Sequence, residues 1–363
     1  MAWSIHLIVG ARPNLMKAAP LLHILRLDSD FIPILVDTGQ HYDHEMSGIF
    51  REEFGMGVPD ISLSVGSGTH GAQTARILER YETELLNERP DAVIVIGDVN
   101  STIACSLAAA KLHIPVVHLE AGLRSNDRNM PEELNRIVTD QLAELLWTPS
   151  IDGDENLLAS GIPSTRICRV GNIMIDSLVK MLPKIQSRKA ATNLGLSINK
   201  YAVITIHRPS NVDEKSSLSH IIRRLVDVSN TIELVWPMHP RTKGAIDRMN
   251  LKEVINSGNI RIIKPLGYID FMSLVNESRL VITDSGGIQE ETTFLGIPCL
   301  TLRPNTERPI TLNEGTNKLI RPENILQSTL EVLEGPERIP TKIDLWDGRT
   351  SIRCRDSLRK FLS

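Results

Sequence analysis

Short apolar runs alternate with helix-period stretches along the whole chain. In the first half the runs are Ile5–Val9, Ile32–Asp37, Ala92–Ile96, Val116–Leu119 and Leu146–Thr148. Between them lie Leu15–Leu27, His70–Glu88 and Ser101–Leu112, which read as helices. The second half repeats the scheme with Tyr201–Thr205, Glu233–Trp236, Ile260–Ile263, Leu280–Thr283 and Pro298–Leu302. Unbroken Val/Ile/Leu runs suit strands buried on both faces, and their alternation with helices implies parallel sheets. The pattern predicts an α/β protein of two Rossmann-like lobes, residues 1–170 and 171–349, with a terminal helix over about 350–363 packing back on the first. At the boundary a helix, Ile173–Ile185, leads into the polar stretch Gln186–Lys200. Two such lobes are expected to hold a ligand in the cleft between them, on loops that follow the strands.

A length of 363 residues fits two domains of ordinary size. Hydrophobic residues at 41% and charged residues at 23% are those of a globular protein. The net charge of -4 argues against a nucleic-acid partner but leaves room for a local basic pocket. No apolar run approaches the roughly 20 residues that span a bilayer, and the first residues lack the shape of a signal peptide. A cytoplasmic protein without membrane contact is expected. Cys105, Cys168, Cys299 and Cys354 are scattered without metal-site spacing, which suits reduced structural thiols.

The strand ends carry the chemistry. His118-Leu-Glu-Ala-Gly-Leu-Arg124 and Pro131-Glu-Glu-Leu-Asn-Arg136 follow the run Ile114–Val117. Glu120 with Glu132 or Glu133 offers an acid and a base, while Arg124 and Arg136 suit either holding carboxylates or binding phosphate. Asp98, in Gly97-Asp-Val-Asn-Ser-Thr102, is either a catalytic carboxylate or a helix cap. Gly10-Ala-Arg-Pro-Asn-Leu-Met-Lys17 joins a strand to a helix and adds Arg12 and Lys17. The loop Thr38–His44 holds a weak metal-ligand candidate, His41, Asp43 and His44, with no complementary cluster elsewhere. In the second lobe His207 stands at a strand end, followed by His239 and Arg241 after the next strand. Asp284-Ser-Gly-Gly-Ile-Gln-Glu-Glu291 is a strand–turn–helix unit whose glycines admit a diphosphate to the helix N-terminus.

Taken together, GARPNLMKAAPL, TGQHYDHEM, GDVNST, HLEAGLRS, PEELNR, VGN, TIHRPSN, HPRT, DSGGIQEE, TERP and EGTNKLI resemble the non-hydrolysing UDP-N-acetylglucosamine 2-epimerases, in order, from Gly10 to about Gly315. The resemblance implies the GT-B fold, a homodimer, and reversible conversion of UDP-GlcNAc to UDP-ManNAc. It implies anti elimination of UDP to 2-acetamidoglucal, followed by re-addition, in the supply of bacterial or archaeal surface-polysaccharide precursors. By resemblance Asp98, Glu120 and Glu132 are the catalytic carboxylates, and His207 is needed for turnover. Arg12, Lys17, Arg136, Ser285, Gly286, Gly287 and Arg308 match substrate contacts, Glu291 the ribose-binding carboxylate, and Phe271 the residue near uracil. Gln40, His41, Arg208 and His239 match an activator site for UDP-GlcNAc. No metal or nicotinamide cofactor is implied. Asn14 and Ser210 both stand where the family usually has Glu. These departures point to an alternative substrate, a modified UDP-N-acetyl sugar; a GT-B glycosyltransferase is the other alternative.

Overall fold

In the computed structural model, which describes residues 2–40, 48 and 51–363, two parallel sheets alternate with helices. The first contains β1 (Trp3–Val9), β2 (Phe31–Asp37), β3 (Ile61–Ser62), β4 (Ala92–Ile96), β5 (Val116–Leu119), β6 (Leu145–Thr148) and β7 (Ile167–Arg169), in the order β3-β2-β1-β4-β5-β6-β7. The second contains β8 (Tyr201–Thr205), β9 (Glu233–Pro237), β10 (Ile260–Ile263), β11 (Leu280–Thr283), β12 (Cys299–Leu302) and β13 (Asn317–Ile320), in the order β10-β9-β8-β11-β12-β13. The expected fold class is therefore present. Three strands escaped the sequence reading: β3, β7 and β13. All three are sheet edges, paired on one side only, and each has partly exposed positions that break the apolar run.

The periodicities explain the layers. Every residue of β4, Ala-Val-Ile-Val-Ile, is buried because helices cover both faces of its sheet. Helix His70–Asn87 buries Gln73, Ile77, Tyr81 and Leu85, one residue every four. Helix Lys215–Ser229 does the same in the second unit with Leu218, Ile221, Ile222, Leu225 and Val228. Each such aliphatic side chain contributes roughly 2 kcal/mol by leaving water.

By contacts the chain divides into residues up to Val179 with Asp344–Ser363, and Lys180–Ile343. The division falls inside helix Ile173–Arg188, further along than the expected residue 170. The terminal helix Thr350–Leu362 belongs to the first unit. Asp176 accepts from the Thr350 and Ser351 amides at 2.9 and 2.7 Å, satisfying its N-terminus. Trp147 Nε1 donates to Ser357 Oγ at 3.0 Å.

Strand order reverses between β1 and β4 in the first sheet and between β8 and β11 in the second. At such a switch point the crossovers leave to opposite faces and a crevice opens beyond the carboxyl ends of the strands.

Candidate active site

At the first switch point, Gly10 follows β1 and Gly97 follows β4. A Cβ on Gly10 would overlap the Ser101 hydroxyl. Gly97 has φ +66°, and a Cβ there would stand 3.1 Å from Glu120 Oε2 and 3.6 Å from Lys17 Nζ. The missing side chain is what lets Glu120, Lys17 and Asn14 meet over the strand end. Lys17, on helix Arg12–Arg26, forms an ion pair with Glu120, and both are more than nine-tenths buried. Asn14 donates to the Ile96 carbonyl at 3.0 Å and accepts from the Ala11 amide at 3.1 Å. This pairing needs an amide's donor and acceptor; an ionised glutamate has no donor.

Glu120 follows β5 with φ +74°, the left-handed region that non-glycine residues seldom occupy. Its amide donates to the Trp147 carbonyl at 3.1 Å, tying the turn to β6. Such a backbone persists only where its surroundings enforce it.

Asp98 is one-third exposed and is gripped by Arg136, whose Nε and Nη2 lie 3.1 and 2.6 Å from Oδ2. Arg136 also reaches Glu133 at 2.6 Å. The structure distinguishes the two adjacent glutamates. Glu133 is buried and accepts from the Ser125 amide (2.9 Å), the Ser125 hydroxyl (3.0 Å) and the Asn126 amide (3.0 Å). Burial alone would raise its carboxyl, but these donors and Arg136 outweigh it and hold it below the ordinary carboxylate range. Glu133 is thus committed to the loop. Glu132, in the first turn of helix Pro131–Leu142, is half-buried and has no polar partner among the described residues. Both arginines hold carboxylates: Arg124 reaches Asp140 at 2.6 Å.

The second switch point is built around Asp284, which is fully buried at the end of β11. It accepts from the backbone amides of His207 and Arg208 and from Asn211 Nδ2, at 2.8 to 3.1 Å. Its Oδ1 lies 3.3 Å from His207 Nδ1, so one carboxylate fixes the His207 loop and ring together. Sequence reasoning assigned Asp284 no role; its place immediately before Ser-Gly-Gly was the available signal. Ser285 is the N-cap of helix Gly286–Leu295, yet its side chain makes no capping bond. The first-turn N–H groups are left without a side-chain cap, the arrangement that receives an anion.

Basic groups surround that turn. Arg308 pairs with Glu290 at 2.9 Å and with Glu307, which also takes Arg303 at 2.7 Å. Gly286 makes room, since a Cβ would come within 2.8 Å of Arg308 Nη1. Burial and the neighbouring Arg303 depress the Arg208 guanidinium, with Glu307 and Asp284 opposing. Glu291 is buried on the same helix, 2.8 Å from the Tyr268 hydroxyl. Burial raises its carboxyl to about 8, the Tyr268 bond lowering and Glu290 raising it. Phe271 is half-buried on helix Tyr268–Asn276.

The expected activator residues are not equivalent. Gln40 is buried and its side-chain oxygen accepts from the Ser101 amide and hydroxyl at 3.1 and 2.7 Å. The His239 ring is exposed, 5.4 Å from that of His207 between centroids. His41, with Asp43 and His44, lies outside the described residues, as does the Arg12 side chain. Among the described residues no group of three or more His, Cys, Asp or Glu could hold a metal, and no helix is long and apolar enough to cross a membrane.

Two Rossmann-type sheets, each with charged groups at its switch point and one with a glycine turn opening a helix, define an α/β protein of the GT-B class. The chain belongs to the UDP-N-acetylglucosamine 2-epimerase family, whose model matches residues 23–359. It is 42% identical to a UDP-N-acetylglucosamine 2-epimerase homolog of Methanococcus maripaludis, over 97% of this chain and 98% of that one. It is 40% identical to the UDP-2,3-diacetamido-2,3-dideoxy-D-glucuronate 2-epimerase of Pseudomonas aeruginosa, over 86% of this chain and 87% of that one. The crystal structure of Methanocaldococcus jannaschii UDP-GlcNAc 2-epimerase in complex with UDP-GlcNAc and UDP matches with TM-score 0.90 and 36% identity, covering 98% of this chain and 99% of that one.

Proposed function

We propose that this protein interconverts UDP-N-acetylglucosamine and UDP-N-acetylmannosamine by eliminating UDP and adding it back. The observation that supports this most is that two carboxylates follow neighbouring strands at one switch point, each held by its own cation: Glu120 by Lys17 and Asp98 by Arg136. Fixing acidic groups so firmly suits removal of a proton from carbon, where the C2–H bond is a poor acid and misplacement is costly.

In this reading one carboxylate takes the C2 proton. The C–H electron pair becomes the C1=C2 double bond, the C1–O bond breaks, and UDP departs with its electrons. The neutral intermediate is 2-acetamidoglucal. The C1=C2 electron pair then takes a proton on the opposite face of C2 from a second side chain in its carboxylic acid form, and a UDP oxygen bonds to C1. Asp98, Glu120 and Glu132 share these roles, and His207 supports turnover. The departing diphosphate is met by the Ser285–Gly287 turn, Arg12 and Arg308. Lys17 and Phe271 complete the contacts, with Glu291 on the ribose. Arg136 acts on the substrate through the Asp98 it orients. By the same family likeness the working form is a homodimer, UDP-GlcNAc acts as an activator, and the product feeds surface-polysaccharide synthesis.

A second substrate is favoured by one observation: the Pseudomonas relative, named for a diacetamido uronate sugar, is as similar as relatives named for UDP-GlcNAc, at 40% identity. Incubation with UDP-GlcNAc in D2O, without acceptor and followed by proton NMR, tests both. The proposal expects UDP-ManNAc carrying deuterium at C2. Product with C2 still protonated refutes the elimination. No conversion of UDP-GlcNAc alongside conversion of a 2,3-diacetamido UDP-sugar transfers the assignment to the second reading. A glycosyltransferase would leave the sugar's C2 unchanged.

A further inference from the structure

His118 and Asp140 are fully buried, have no part in the chemistry above, and sit where the carboxylate-bearing segments join. His118 lies in β5, two residues before Glu120. Its Nε2 is 2.8 Å from the carbonyl oxygen of Gly97, the residue before Asp98. Its Nδ1 is 2.7 Å from Asp140 Oδ1, on the helix that carries Glu132 and Arg136. One imidazole therefore links the loop of Asp98, the strand leading to Glu120 and the helix of Glu132.

The hydrogen-bond accounting gives the ring's role. A carbonyl oxygen only accepts, so Nε2 carries a proton. The other oxygen of Asp140 accepts from Arg124 at 2.6 Å and from the Gly122 amide at 3.3 Å. With a buried guanidinium and an amide donating to it, Asp140 acts as a carboxylate, and Nδ1 donates as well. Asp140 thereby grips the chain on both sides of Glu120, through the residue 118 ring and the residue 122 amide. Between those two bonds lies the left-handed Glu120 backbone at φ +74°, a conformation that needs outside enforcement.

We propose that the His118–Asp140 pair is a positioning clamp that holds Glu120 in its strained conformation and sets its geometry relative to Asp98 and Glu132. The clamp rests on the epimerase reading for its effect on turnover, and its structural part stands apart from that reading. Asp140→Asn keeps the size of the side chain and removes the charge that receives both partners. It is expected to lower kcat about 100-fold, the cost of a small misplacement of reacting groups. The KM for UDP-GlcNAc and the affinity for UDP should stay within about threefold, and deuterium uptake at C2 should slow in step with kcat.

In wild-type protein labelled with 15N-histidine, one buried ring should show two exchange-protected N–H groups. His6, the other fully buried histidine among the described residues, has one ring nitrogen facing the Tyr81 hydroxyl and the other without a partner. A folded Asp140→Asn variant with near-wild-type kcat overturns the clamp. So does a wild-type spectrum in which no ring carries two protected protons, and this measurement decides alone if the variant fails to fold. Wild-type conversion with C2 exchange upholds the epimerase reading whatever the variant does. Its absence defeats that reading and leaves the spectrum to judge the clamp.

Discussion

Raising the pH should remove stability from this protein through a single side chain. Glu291 is buried, and its carboxyl is lifted from an ordinary value of 4.5 to about 8. The sign follows from linkage: a carboxyl raised in the folded state favours folding in its protonated form. Its contribution is complete below the unfolded value, near 4.5, and is lost progressively as pH climbs through about 8. At about 1.4 kcal/mol per tenfold change in proton affinity, that gap corresponds to a loss of roughly 4–5 kcal/mol by about pH 9. Glutamine has the shape of a protonated glutamic acid and does not titrate. Glu291→Gln should therefore match the wild type near pH 4 and exceed its stability at about pH 9, the excess growing across the window between. Urea unfolding at several pH values, with wild type and variant in parallel, isolates this group from the rest. If the difference between the two proteins does not change with pH, Glu291 does not carry a raised pKa. If it changes in the opposite sense, the site stabilises the ionised form.

Asp98→Asn, Glu120→Gln and Glu132→Gln should each lower kcat by roughly two to four decades with the fold retained; wild-type turnover in any one removes it from the proposed chemistry. Arg12→Ala and Ser285→Ala should both weaken UDP binding by calorimetry, the former more, because ionic hydrogen bonds to phosphate are about twice as strong as neutral ones. Gly97→Ala should depress activity, since its Cβ would stand 3.1 Å from Glu120 Oε2 on a backbone at φ +66°; full kcat in that variant would mean that Glu120 tolerates displacement.

The central strands were legible because burial on both faces leaves a run such as Ala92–Ile96 with no polar interruption. Edge strands β3, β7 and β13 were not, because they are short and carry polar or partly exposed residues, whereas the edge strand β10 keeps isoleucine at three of its four positions. Strand ends likewise located Asp98, Glu120, His207 and the Ser-Gly-Gly turn. What the sequence withheld was division of labour among neighbours. Glu132 and Glu133 are indistinguishable as letters, and only the loop folded over Glu133, with its three N–H and O–H donors, separates them. Asp140 is 22 residues from the histidine it engages, and no local pattern connects the pair.

The backbone of Glu120 also bears on how this protein would respond to selection for heat tolerance. The residue best suited to φ +74° is glycine, and glutamate there costs roughly 1–3 kcal/mol. Exchanging Glu120 for glycine, with an uncharged residue at Lys17 so that no buried cation is stranded, removes that cost together with the proposed chemistry. A library sorted on melting temperature alone would thus be drawn toward a robust but inert protein. Sorting has to retain an activity gate at every round, and durable gains in tolerance have to come from positions outside the first switch point.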